Sequence, residues 1–161
     1  MTNRSLLVPL VCLALAACAP KDAPDFCKNH ALFHAEHAAS NATLQITLTA
    51  DGGIDSELHM PVAVVDSLAA EAVLQDASRV FRLQTSTACS AMAATVVAAD
   101  DALVATYAAD CGADNKLGQI DVLLFDELPE LHEVDVLVVT PATQKHFAIN
   151  RQCGSAIFRL K

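Results

Sequence analysis

Three histidines near the start of the chain have the spacing of metal ligands. His30, His34 and His37 lie at positions i, i+4 and i+7, so on a helix their imidazole rings would share one face. Imidazole is a preferred ligand for zinc, copper and nickel, and three donors with one open position suit a site that must release its metal. The alternative is a short polar helix whose histidines are simply exposed. The spacing therefore predicts a candidate metal site and leaves that alternative open.

Other candidate ligands are less well placed. His59 and Met60 offer an imidazole and a thioether, which would suit copper, but neighbours on a strand point to opposite faces of the sheet. We therefore assign Met60 to the core. His132 and His146 are isolated in the sequence, and either could complete a site only through a contact made by folding. The acidic residues of the second half are interpreted as a solvated surface: Asp100, Asp101, Asp121, Asp126, Glu127 and Glu130.

Composition and motifs argue against two broad classes of function. The 161 residues carry 10 basic and 19 acidic side chains, and a net charge of −9 disfavours a nucleic-acid-binding surface. The sequence contains no G-x-S-x-G elbow, no H-E-x-x-H helix and no phosphate-binding G-x-x-x-x-G-K loop. We therefore predict that the protein is neither an enzyme nor a nucleic-acid-binding protein.

The first 17 residues are typical of a secretory leader. Arg4 precedes an apolar run that ends at Ala17 and is too short to be a permanent membrane span. The sequence Leu15-Ala-Ala-Cys18 resembles a bacterial lipobox, which implies cleavage before Cys18, a diacylglycerol group on its thiol and an acylated new N-terminus, with palmitate among the acyl chains. The alternative is an ordinary secretory signal.

The sequence around the cleavage site predicts how the mature chain is arranged. The residue after Cys18 is Ala19, not the Asp that commonly retains lipoproteins at the inner membrane, so the outer membrane is favoured. Residues 18–25 are rich in Pro and charge and predict a tether. Residues 26–161 predict a single domain facing the periplasm.

The remaining cysteines are interpreted as two disulfides. Cys12 leaves with the leader and Cys18 is lipidated, so an even number remains for an oxidising compartment. Two β-like runs flank residues 99–101, and a hairpin about Asp100 places Cys89 opposite Cys111. The same register pairs Val97 with Leu103 and Ala93 with Tyr107. This leaves Cys27 to pair with Cys153. A redox or metal role for the thiols is the alternative, and no C-x-x-C supports it.

Hydrophobic periodicity predicts an α+β fold, a mostly antiparallel sheet with one long helix packed on it and disulfides as staples. Strands are predicted from Ala42, over Ile54–Val65 and around Val134–Val139. Lys145–Asn150 is predicted to pair back with the preceding strand after the turn at Pro141, and Ser155–Leu160 to close the sheet. Asp66 is the predicted N-cap of a helix that extends to about Phe81. Its apolar face comprises Ala70, Val73, Leu74, Ala77, Val80 and Phe81.

An ordered series of short motifs resembles the periplasmic zinc-uptake accessory family of ZrgA type. The motifs are His34-Ala-Glu-His37, Glu57-Leu-His-Met-Pro61, the strand of Cys89, Tyr107-Ala-Ala-Asp-Cys111, Leu124-Phe125 with Leu128-Pro-Glu-Leu131, and Phe158-Arg-Leu160. The resemblance implies a role in zinc uptake. Family members typically carry a long His-, Asp- and Glu-rich insertion between the cysteine-bearing strands, and only a short turn stands there in this chain.

Two functions are compatible with these features. The first is a lipid-anchored periplasmic binding or accessory protein that binds zinc, or copper, weakly through His30, His34 and His37, with a metal transporter as its partner. The second is a structural or interaction lipoprotein that uses the same scaffold to bind an envelope protein. In both cases the lipid anchor makes the membrane a partner.

Overall fold

The computed structural model describes residues 41–63 and 67–157, which form nine strands and three short helices. The strands are β1 Ala42–Leu48, β2 Gly53–Pro61, β3 Phe81–Thr85, β4 Ala93–Ala98, β5 Ala102–Asp110, β6 Leu117–Val122, β7 Glu133–Val139, β8 Gln144–Asn150 and β9 Ser155–Ile157. The helices are α1 Ser67–Leu74, α2 Ala77–Val80 and α3 Leu124–Glu127. No helix within these ranges is both apolar and long enough to cross a bilayer.

A six-stranded sheet in the order β4-β5-β2-β1-β7-β8 forms the larger layer. All its neighbouring strands are antiparallel except β1 and β7, which run parallel with Leu44 beside Val136. A parallel pair needs a long crossover, and the chain between β1 and β7 supplies it. A second sheet in the order β3-β6-β9 forms the smaller layer.

The core lies on one face of the six-stranded sheet. Alternate residues of β1 are buried and exposed, as its polar–apolar alternation predicts, and Leu44 and Ile46 are fully buried. Tyr107 of β5 joins this face to the layer above it. Its hydroxyl donates a hydrogen bond of 2.9 Å to the Leu74 carbonyl, and its ring meets Phe81 of β3 edge-on at 5.3 Å. The helices and the smaller sheet therefore cover the inner face of the larger one.

The predicted long helix is wrong, and so is the α+β class that rested on it. The segment forms two short helices and then a strand, because Asp76 between them is extended (φ −116°, ψ 100°) and caps α2 by accepting the Ser78 N–H. Every residue of the predicted apolar face is nevertheless buried. Among the described residues the protein is predominantly β. The predicted N-cap, Asp66, lies outside the described residues.

The last strand also departs from the prediction. We expected Ser155–Leu160 to close a single sheet, but β9 pairs with β6 in the smaller sheet, with Ala156 opposite Ile120. A turn at Arg151–Cys153 and Gly154 at φ +48° lead the chain from β8 in one sheet to β9 in the other. The predicted pairing of Lys145–Asn150 with the preceding strand is confirmed.

The cysteine hairpin has its disulfide but not the predicted register. Cys89 and Cys111 are bonded. The hairpin turn contains two residues, Asp100 and Asp101, because the Ala99 N–H donates to the Ala102 carbonyl. The pairs are therefore shifted by one residue from those predicted. Tyr107 lies opposite Ala94 and Ala93 opposite Ala108, while Val97 lies opposite Val104 and is 57% exposed.

The Cys89–Cys111 disulfide is compatible with the one-residue shift in register because β4 does not extend to Cys89. Residues 86–92 are irregular, and the Ser90 N–H donates to the Asp110 carbonyl at 2.8 Å, which restores the alignment of the two cysteines. Cys153 is also disulfide-bonded. Its predicted partner, Cys27, lies outside the described residues, so that pairing stays a prediction.

The single tyrosine offers a test of how tightly the two layers are held together. Burial raises the pKa of Tyr107 far above the ordinary value of about 10. The neutral phenol therefore stabilises the fold below about pH 10, and this contribution falls as the pH rises further and the unfolded chain ionises. Because the chain has one tyrosine and no tryptophan, phenolate absorbance reports on Tyr107 alone.

We expect the phenolate band to appear only with the loss of β-sheet circular dichroism. Tyr107→Phe should lower the free energy of unfolding by about 1 kcal/mol at neutral pH. Above about pH 10, the free energy of unfolding should fall less steeply with pH in this variant than in the wild type, because no phenol ionises on unfolding. A phenolate band that appears at ordinary pH in a chain that is still folded would contradict this placement of the hydroxyl.

Candidate functional site

The outer face of the six-stranded sheet is polar and open, and two of the described candidate ligands, His59 and His146, lie on it. Its residues alternate with those of the core along each strand. A shallow concavity of about 450 Å³ lies over β1, β2, β5 and β4, with Gln45, Asp55, Glu57 and Thr106 among its lining residues. The face therefore presents amide, hydroxyl and carboxylate oxygens to solvent.

The first imidazole–carboxylate pair on this face is His59 with Glu57. The two residues are two apart on β2, so their side chains share the outer face, and His59 Nε2 lies 2.7 Å from Glu57 Oε1. Each side chain is about half exposed, at 50% and 52%. Nitrogen and carboxylate oxygen are both zinc ligands, so this pair can supply two ligands to a metal that arrives from solvent.

The second pair is His146 with Asp135, on β8 and β7. His146 Nε2 lies 3.7 Å from Asp135 Oδ1, and both side chains are partly exposed. Asp135 is also beside Thr43 of β1, which in turn is beside His59 of β2. The two pairs are therefore separated by one strand, which places the backbones of β2 and β7 about 10 Å apart.

That separation prevents the two pairs from forming one compact site. Zinc ligands lie about 2 Å from the ion, so four ligands must converge within a few ångströms of one another. Within residues 41–63 and 67–157, no group of three or more His, Cys, Asp or Glu side chains is arranged to hold a metal. The outer face thus offers two separate two-ligand positions.

Most of the site residues predicted from sequence lie outside the part of the chain that the structure describes. His30, His34, His37, Cys18 and Cys27 are all outside the described residues, and their roles stay predictions. His59 and Met60 do point to opposite faces, since Met60 is fully buried and His59 is exposed. His132 is exposed in the connection that precedes β7, away from both pairs.

One of the acids interpreted as solvated surface has a specific partner. Glu127 of α3 accepts two hydrogen bonds from Arg79 of α2, at 2.5 and 3.2 Å. The hydrogen bonds from Arg79 hold the pKa of Glu127 below its usual range. This ion pair joins two helices of the covering layer and is remote from the outer face of the sheet, so its role is structural.

Sequence reasoning missed both imidazole–carboxylate pairs. The first had a signal, because Glu57 and His59 stand at i and i+2 on a predicted strand and must share a face. The second had only a partial signal, since the pairing of β7 with β8 was predicted but its register was not. In that register His146 lies opposite Leu137 and diagonal to Asp135.

Comparison with known proteins identifies the family. The model of the ZrgA family zinc uptake protein matches residues 28–157, a range that includes every described residue and also His30, His34 and His37. No curated protein matches the chain. Because the family model covers most of the sequence, the chain belongs to the ZrgA family of zinc uptake proteins.

Proposed function

We propose that the protein is a lipid-anchored periplasmic accessory protein that binds zinc weakly and transfers it to a metal transporter. The observation that carries this proposal is the family match over residues 28–157. Zinc is the cargo in this proposal and does not form part of the fold. A cargo protein needs ligands that are exposed and few, because a closed four-ligand site holds zinc too tightly to release it.

Export and anchoring are supported by the sulfur chemistry of the chain. A disulfide such as Cys89–Cys111 persists in the periplasm and is rare in the cytosol, where thiols are kept reduced. The apolar leader and the lipobox ending at Cys18 agree with that compartment. Several acyl chains on Cys18 would anchor the protein stably, and Ala19 favours the outer membrane.

The proposed zinc contacts fall into two groups. His30, His34 and His37 are the stronger candidates, because three imidazoles at helical spacing leave one position open for exchange. Glu57 with His59, and Asp135 with His146, are weaker two-ligand positions on the outer face of the sheet. Weak exposed positions in addition to a stronger one would raise the local concentration of zinc without trapping it.

Zinc accumulation in cells tests this function. A strain that lacks the protein should accumulate less zinc in zinc-limited medium, because transfer to the transporter is slowed, and the wild-type chain should restore the wild-type level. A chain with Cys18→Ser should restore it only partly, since an unanchored protein is not held at the membrane. Elemental analysis of washed cells gives the readout.

Iron and manganese in the same cells provide the control, because a general envelope defect would alter all three metals. Equal zinc in the deletion and wild-type strains would contradict the proposal. That outcome would favour the second candidate, an interaction lipoprotein of the envelope. The specific observation on its side is the two-residue turn at Asp100 and Asp101, where relatives are expected to carry their His-rich insertion.

A further inference from the structure

The edge strand β4 differs from the strand at the other border of the six-stranded sheet in being free of charge. Within the described residues it pairs only with β5 and forms one border of the six-stranded sheet. Its sequence, Ala93-Ala-Thr-Val-Val-Ala98, contains no charged residue and no proline. The strand at the other border, β8, includes Lys145 and His146. Proteins usually place charges or proline on edge strands to prevent pairing with another chain, and β4 lacks both.

The hydrogen-bonding groups on the outer side of β4 follow from the hairpin. Ala99 and Ala102 are a hydrogen-bonded pair that closes the turn. Because hydrogen-bonded and non-hydrogen-bonded pairs alternate along an antiparallel ladder, Val97, Thr95 and Ala93 direct their backbone groups toward β5. The N–H and C=O groups of Ala94 and Val96 therefore point away from the sheet.

We propose that β4 pairs antiparallel with β4 of a second copy of this chain, which makes one continuous sheet across a two-fold axis at Thr95. In this register Ala94 of each copy exchanges backbone hydrogen bonds with Val96 of the other, and the outward groups of both residues are satisfied. Side chains then oppose each other with small against large, Ala93 against Val97 and Ala94 against Val96, while Thr95 meets its own copy.

The absence of charge on β4 suits this edge to self-association. The chain carries a net charge of −9, so two copies repel each other. The contact must therefore form where no like charges face each other directly, and the neutral stretch of β4 meets that condition. Pairing also covers Val97, one of the few large apolar side chains exposed in the described residues. Salt should strengthen the dimer, since it screens the remaining repulsion.

Sedimentation of the full mature chain in density-matched detergent tests the proposal. We expect a monomer–dimer equilibrium with a Kd of about 10 to 500 μM, tightened several-fold on going from low to high salt. Ala94→Pro removes an outward N–H without removing a bond to β5, and Thr95→Lys places two ammonium groups on the axis. Each should weaken the dimer at least about tenfold.

Thr47→Lys is the matched control, because it makes the same charge change on the same face in the interior of the sheet. It should leave the Kd within about twofold of wild type. Circular dichroism identifies any variant that fails to fold. If Ala94→Pro does not fold, the Kd of the Thr95→Lys dimer alone tests the proposal. A wild-type chain that is monomeric throughout, or a dimer that Thr95→Lys and Thr47→Lys affect equally, would overturn the proposal.

Discussion

Replacing Gly52 by alanine should lower the free energy of unfolding by about 3 kcal/mol or more. Gly52 lies in the turn between β1 and β2 with φ at +91°, a conformation that costs a residue with a side chain about 1 to 2 kcal/mol. A Cβ atom there would also stand 1.8 Å from the Gly112 carbonyl oxygen, far inside van der Waals contact. The backbone on one side or the other must therefore move.

The displaced backbone adjoins the disulfide. The Gly52 carbonyl accepts the Cys111 N–H at 3.1 Å, so a shift of this turn breaks the contact between the β1–β2 turn and the end of β5. Gly112→Ala is the matched control, because Gly112 also has a positive φ, +79°, yet a Cβ there meets nothing within 4 Å.

Urea denaturation of the two variants separates the cost of the positive φ angle from the cost of the steric clash with the Gly112 backbone. Gly112→Ala should cost about 1 to 2 kcal/mol, the conformational term alone. Gly52→Ala should cost clearly more. Equal losses in the two variants would show that the turns do not touch as described.

Alternation of polar and apolar residues predicted the strands of the larger sheet well. β1, β2 and β7 follow that pattern, because one face of each packs against the core and the other faces away from it. The same logic failed for residues 66–81. The spacing of buried residues there is that of a helix, but it is equally satisfied by two short helices followed by β3, and the deciding feature is the local cap at Asp76.

The register of the cysteine hairpin shows a second limit of sequence reasoning. A disulfide between Cys89 and Cys111 requires only that the two residues lie close together, and it does not fix the pairing beyond them. The pairing of β4 with β5 is set by a two-residue turn, which shifts every pair by one and moves Val97 from the predicted core face to solvent. The sequence Ala99-Asp-Asp-Ala102 does not indicate whether the turn contains two residues or three.

The candidate ligands were also only partly predictable from the sequence. Ligands that are close in sequence, such as Glu57 and His59, can be recognised from the period of a strand. Ligands brought together by strand pairing, such as Asp135 and His146, also require the register in which β7 pairs with β8, which no local pattern fixes. The outer face of the sheet therefore carries its candidate metal ligands as two separate pairs.

Zinc binding should depend mainly on the three N-terminal histidines. We expect the purified chain to bind zinc with a Kd tighter than about 10 μM, and the triple variant His30→Ala, His34→Ala, His37→Ala to bind at least about tenfold more weakly, because it loses all three imidazoles of the proposed site. The double variant His59→Ala, His146→Ala should weaken binding only about two- to threefold, since each residue belongs to a two-ligand position.

Calorimetric titration of these chains with zinc is the most direct test of a zinc-carrying role. His132→Ala is the control, since it removes an exposed imidazole that belongs to neither proposed group. We expect saturable binding that is lost in the triple variant and retained in the control. Absence of saturable binding in the wild-type chain, or binding that the triple variant leaves unchanged, would contradict it.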